Sequence, residues 1–141
     1  MDLSLLQSFL KNTKDDWNYI TPYKFYHQYY KKNKKYTLLD LRRKEDYDKY
    51  HIMGSKNIFW LDILEDKNLK ELSKKEPIFL ICYVGHTSTQ VLVLLKLLGY
   101  NVTSIKFGYG ITPNFEVTVA GWCNYNYPVE QTCKKKNKNN Y

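Results

Sequence analysis

Apolar and polar positions along the chain alternate between short blocks that suit strands and longer, spaced patterns that suit helices. The clearest block is "IFLI" (78–81), four apolar residues after Pro77 with no alternation. That pattern belongs to a strand buried on both faces, as in a parallel sheet covered by helices. "KYTLLDLRR" (35–43) reads as a second strand, ending on Asp40 and Arg42. A brief apolar strand is expected at 57–59 and another in "NVTSIKF" (101–107). Thr21 followed by Pro22 is a helix start, a capping hydroxyl ahead of a proline at the first helical position. A polar helical turn follows residue 43. Leu61, Leu64, Leu69 and Leu72 recur at helical spacing. From 87 to 98 the chain is apolar nearly all round, which predicts a deeply packed helix ending at Gly99. Phe115, Val117 and Val119 alternate and predict one more strand or a small hairpin. Strand and helix taking turns make an α/β domain with a central, mostly parallel sheet flanked by helices.

The length of 141 residues suits one domain with a core that needs no disulfide staples. Residues 1–19 form an amphipathic helical lead-in, 20–130 the domain, and 131–141 a lysine-rich flexible tail. The first residues lack the basic start of a signal peptide, and no apolar run is long enough to span a bilayer. A soluble protein is expected. Three cysteines do not make a disulfide framework, and no Cys/His spacing suggests zinc. A reducing, cytoplasmic setting is the simpler one, with no metal and no cofactor.

The net charge of +8 changes this picture little. Four of the lysines lie in the tail "KKKNKNNY", and Arg42 and Arg43 are the only arginines. Arginine is the usual bidentate partner of phosphates and bases, so a solvated lysine surface is favoured over a nucleic-acid site.

The candidate chemistry sits at Cys82, where the buried run meets a polar loop, Tyr83, Val84, Gly85, His86, Thr87 and Ser88. Sites in open α/β sheets form where strands end and helices begin. This loop could curl so that backbone N–H groups converge on the sulfur, with Gly85 relieving the steric limit. The helix end behind it adds about 0.3 to 2 kcal/mol for an anion, and several amide hydrogen bonds must supply more. Cys82 is then either a thiolate nucleophile in an anion cradle or a packed core cysteine; the residues alone leave both open.

Four motifs in order resemble the single rhodanese domain, a sulfurtransferase fold. "LLDLR" (38–42) resembles its aspartate-x-arginine strand end, and "YHIMGSKNI" (50–58) its histidine–isoleucine–x–glycine signature. "CYVGHTS" (82–88) resembles its active loop, and Gly108 with "GWCNYNYPVE" (121–130) its closing glycine and tryptophan. The resemblance implies a three-layer domain in which Cys82 takes a sulfane sulfur as a persulfide and passes it to a thiophilic acceptor. It makes Asp40, Arg42 and His51 structural supports of the site. The partners implied are a small-molecule or protein persulfide donor and a thiol acceptor. Neither nucleic acid nor membrane is expected, and a monomer or weak dimer suffices. A non-catalytic module for partner docking or sulfur carriage is the alternative.

Several positions depart from the family pattern. Thr87 stands where active relatives often carry arginine, and His86 is the only potential cation in the loop. Thiosulfate is therefore a less natural donor than a persulfide. Tyr50 replaces the usual glycine before the histidine, and about ten extra residues (111–120) precede Gly121. Those ten read as a surface excursion, with a cover over the site or a partner surface as the alternative. Cysteine phosphatases need an arginine where Ser88 stands, which argues against phosphoryl chemistry. Cys123 and Cys133 read as ordinary cysteines, and Trp60 and Tyr83 as candidate walls of a donor pocket.

Overall fold

The computed structural model describes residues 1–131 apart from 115 and 117. The lysine-rich tail, Cys133 and two positions of the 115–119 alternation lie outside the described residues. Along the chain run α1 (Leu3–Lys11), β1 (Tyr19–Ile20), α2 (Pro22–Phe25), β2 (Thr37–Asp40) and α3 (Lys44–Lys49). They are followed by β3 (Lys56–Asn57), α4 (Asp66–Leu69), β4 (Ile78–Ile81), α5 (His86–Leu97) and β5 (Val102–Ile105). The strands form one parallel sheet in the order β1-β5-β4-β2-β3.

β4 is the centre of this sheet, and all four of its residues are buried, as its unbroken apolar pattern requires. Its side chains divide the interior in two. Ile78 and Leu80 pack with Leu39, Val91, Leu95 and Cys82 on the α5 side. Phe79 and Ile81 pack with Phe25, Leu38, Tyr109 and Trp122 on the other. Each such aliphatic or aromatic side chain withdrawn from water contributes about 1.5–3 kcal/mol.

Four elements differ from the sequence-based expectation. The leucine-spaced stretch 61–72 is not one helix: a 3-10 turn at Trp60–Asp62 and the short α4 replace it. The Asn68 side chain donates to the Asp62 carbonyl and Glu65 is extended, which breaks the helical path between them. The chain after Pro22 starts as expected, with Thr21 Oγ1 accepting from Lys24 N at 3.1 Å. It then widens into a π-helical turn over Tyr26–Tyr30, in which Tyr26 and Tyr30 pack against Trp122. α5 is less deeply packed than its composition suggests, because Leu94 and Leu98 are exposed. β1 has no counterpart in the sequence reading. It pairs with β5 and straddles the boundary expected between the lead-in and the domain.

Candidate active site

Cys82 follows the last residue of β4, and α5 begins four residues later. The intervening loop closes over the sulfur. Gly85 N donates to Sγ at 3.2 Å and Ser88 N at 3.4 Å. Gly85 takes φ +98°, a conformation that disfavours any residue with a Cβ, and a Cβ there would crowd the Phe107 backbone. Ser88 N belongs to the first turn of α5, so the helix end contributes a free amide and its positive dipole together. Cys82 itself is only 1% exposed.

Ser88 is the second polar group at the sulfur. Its Oγ lies 3.3 Å from Sγ, 3.2 Å from the Gly85 carbonyl and 2.8 Å from Ser104 Oγ on β5. Both serines are fully buried. A thiol can donate to Ser88 Oγ; a thiolate can instead accept from it while Ser104 donates to Ser88. The hydroxyl pair can therefore reorient between the two forms of sulfur without leaving a buried group unpaired.

The loop is held from outside by its own carbonyls. Tyr109 N donates to the Cys82 carbonyl and Gly110 N to the Tyr83 carbonyl, each at 2.9 Å. Those oxygens point away from the sulfur, leaving the amides facing it. Gly108 makes the approach feasible, since a Cβ at that position would overlap the Cys82 carbonyl. Thr89 Oγ1 donates to the Gly85 carbonyl at 2.8 Å, and the Tyr19 hydroxyl lies 2.9 Å from Thr89. With the Thr89 proton committed, Tyr19 is the donor of that pair.

Asp40 and Arg42 form a buried bidentate pair, with Nε to Oδ1 at 3.0 Å and the second nitrogen to Oδ2 at 2.9 Å. The guanidinium also donates to the Tyr50 carbonyl at 2.6 Å and lies 3.7 Å from the Tyr109 ring centre. Burial lowers the Arg42 pKa, but the Asp40 carboxylate outweighs it and raises it above the usual arginine value. The pair meets the Cys82 loop through Tyr109, whose hydroxyl donates to Asp40 at 2.7 Å while its N–H holds the Cys82 carbonyl. Tyr83, at the start of the loop, is anchored separately: its hydroxyl donates to the Asp46 carboxylate on α3. Burial and that hydrogen bond push the Tyr83 phenol up to about 12.

His51 does not reach the loop. Its ring stacks on Tyr47 at 3.8 Å, with Nδ1 2.9 Å from the Tyr47 carbonyl and Nε2 3.0 Å from Glu130. The backbones of His51 and Glu130 also exchange two hydrogen bonds. His51 therefore fixes the end of α3 and the returning chain. Trp60 packs against the core on the Cys82 side. Cys123 is half-buried on the other side of the sheet, and burial pushes its thiol pKa up. Among the described residues, no cluster of His, Cys, Asp and Glu could hold a metal.

A pocket of about 510 Å³ borders the outer wall of the loop. Val84, Gly85 and His86 form one side, and Lys106, Phe107 and Val119 the other. Lys106 brings a cation that the sequence reading missed, because it lies eighteen positions past Ser88 on a different strand end. Phe107 is unusual: it sits at φ +61° in the turn closed by Gly108 N and the Ile105 carbonyl. That conformation costs a residue of this size about 1–3 kcal/mol. The 111–120 segment flanks the site on two sides. Val119 lines this pocket, and Ile111, Thr112 and Pro113 line a smaller one with Arg42, Tyr50 and Tyr83.

The profile of the Rhodanese-like domain family matches residues 25–110. No curated protein matches the chain. Among solved structures, a rhodanese-related protein from Thermoplasma volcanium is 25% identical with a TM-score of 0.63, over 79% of this chain and 96% of its own. The rhodanese-like domain of an Anabaena protein is 19% identical with a TM-score of 0.67, over 88% and 86%. A thiosulfate sulfurtransferase from Pseudomonas aeruginosa is 18% identical with a TM-score of 0.60, over 80% of this chain but only 19% of that one. With its parallel sheet, its loop over Cys82 and a family match across more than half its length, the chain belongs to the rhodanese-like domain family.

Proposed function

We propose that the protein is a sulfurtransferase that moves a sulfane sulfur from a donor to a thiophilic acceptor through a Cys82 persulfide. The observation that carries this reading is the convergence of two backbone amides and a buried hydroxyl on Sγ. A cysteine that only fills space needs no such donors; a sulfur anion does.

In this mechanism the Cys82 thiolate attacks the outer sulfur of the donor. The donor S–S bond breaks, its electron pair leaves on the donor fragment, and Cys82 carries one added sulfur. An acceptor nucleophile then attacks that outer sulfur and the Cys82 thiolate leaves. The amides of the Tyr83–Ser88 loop hold the negative charge in both steps, the preorganised stabilisation that developing anions require. Asp40, Arg42 and Tyr109 keep the loop carbonyls turned outward. His51 supports the fold and takes no part in the chemistry. A reducing compartment suits this cycle, since the described cysteines, Cys82 and Cys123, are free thiols.

The near-complete burial of Cys82 favours one second reading, a sulfur carrier or docking module that does not turn over. Intact-mass measurement after incubation with thiosulfate or an organic persulfide separates the two. A single added sulfur, absent in Cys82→Ser and discharged by cyanide or a thiol, is expected. A stable adduct that no acceptor removes would indicate a carrier, and no adduct from any donor would sink the enzyme reading.

A further inference from the structure

We propose that the pocket bordering the active loop binds the carrier portion of an organic persulfide, an apolar body bearing a carboxylate. This rests on the sulfurtransferase reading above and names its donor class. At about 510 Å³ the pocket lies within the range of roughly 300–1,000 Å³ typical of small organic ligands. An inorganic anion would leave most of it empty.

Its walls specify the chemistry. Val84, Phe107, Val119 and the Tyr19 ring offer apolar surface, while Lys106 and His86 stand exposed among them. The Lys106 side chain makes no ion pair among the described residues. Its backbone is fixed, because Lys106 N donates to the Ile20 carbonyl at 2.8 Å and holds it at the sheet edge. An ammonium with no ion pair among the described residues, on a fixed strand end beside apolar side chains, complements an anionic group on an apolar body.

Phe107 supplies the independent observation. At φ +61° a glycine would fit without strain, yet the chain carries a phenyl ring there, 44% exposed and facing the pocket. Folding does not call for that ring, since it is neither buried nor free of strain. A ligand with apolar surface does.

Transfer from such a donor is balanced. The Cys82 thiolate takes the outer sulfur of R–S–SH, forming one S–S bond and breaking another. R–S⁻ departs with the electron pair, its body still seated in the pocket.

The test has two readouts. In an NMR titration of the full chain, hydrocinnamate should shift the signals of Val84, His86 and Phe107. It should bind about tenfold more tightly than its uncharged amide, roughly one lysine–carboxylate contact. Lys106→Ala should abolish the preference for the acid, and Phe107→Gly should weaken acid and amide alike. In transfer assays, the persulfide of thiosalicylate should outperform that of its methyl ester, and Lys106→Ala should equalise them. Equal binding of acid and amide, or an acid preference that survives Lys106→Ala, overturns the proposal. So does loading of Cys82 from thiosulfate and both aryl persulfides at the same rate, which would leave the sulfurtransferase reading intact. Acid-selective binding without sulfur loading from any donor would uphold the pocket and overturn that reading.

Discussion

Arg42 keeps a full charge in the interior because its neighbours compensate it. Asp40 takes the fork of the guanidinium, the Tyr50 carbonyl takes one further N–H, and the Tyr109 ring covers a face. Removing one partner strands the other in a medium that solvates it poorly. Arg42→Met should therefore cost about 3–5 kcal/mol, read as a lower urea midpoint with an unchanged slope. Ser104→Ala is milder and more specific. It deprives Ser88 of a hydrogen bond worth about 0.5–1.5 kcal/mol without touching the sulfur. Sulfur loading of Cys82 should slow by a few fold, and the melting temperature should fall by only a few degrees.

Among the elements, the turn after β5 governs the loop after β4. Gly108 and Gly54 both have positive φ, but their surroundings differ. A methyl at Gly54 meets open space, so Gly54→Ala should cost only the backbone strain, about 1–2 kcal/mol. At Gly108 the methyl collides with the Cys82 carbonyl as well, so Gly108→Ala should destabilise more and also disorder the active loop. Comparing their denaturation curves with their sulfur-loading rates checks both expectations. The sequence announced β4, the Thr21–Pro22 helix start and the loop at Cys82, because each depends on a local pattern. It hid β1, since two residues carry no periodicity, and it merged the turns around α4 into one helix. Tyr109, Ser104, Lys106 and Phe107 were also invisible as site residues. They reach the Cys82 loop through the pairing of β5 with β4, and pairing is not encoded near either strand.

For the molecule as a whole, tyrosine sets the alkaline limit. Burial raises the phenol pKa values of Tyr30, Tyr36, Tyr47, Tyr50 and Tyr109, and takes Tyr83 to about 12. The unfolded chain releases those protons near the ordinary value of 10, while the folded chain retains them. Their contribution is fully present below that pH and is lost as it rises toward and past the folded values. Melting temperature should thus decline steeply above about pH 10, and Tyr83→Phe should flatten the part between about 10 and 12. Asp46 acts at the other end. Burial raises its carboxyl, but Tyr83, Lys49 and Arg42 outweigh that and hold it below its ordinary 3.8. Its share of stability is lost only as the pH falls below that range, and Tyr83→Phe should make acid unfolding begin earlier.

The pairing of β1 with β5 also bears on how the protein is made. Tyr19 lies opposite Ser104, so the first of the described strands pairs with the last. Until Val102–Ile105 has been synthesised, β1 has no neighbour, and its backbone N–H and C=O groups stay unpaired. Sheet edge, Tyr19–Thr89 contact and pocket wall all wait for that late closure. A nascent chain halted before residue 102 should be bound by chaperones and cut by protease at Tyr19 and Ile20. One released after β5 should resist there, with the reactive loop and its pocket completed in the same event.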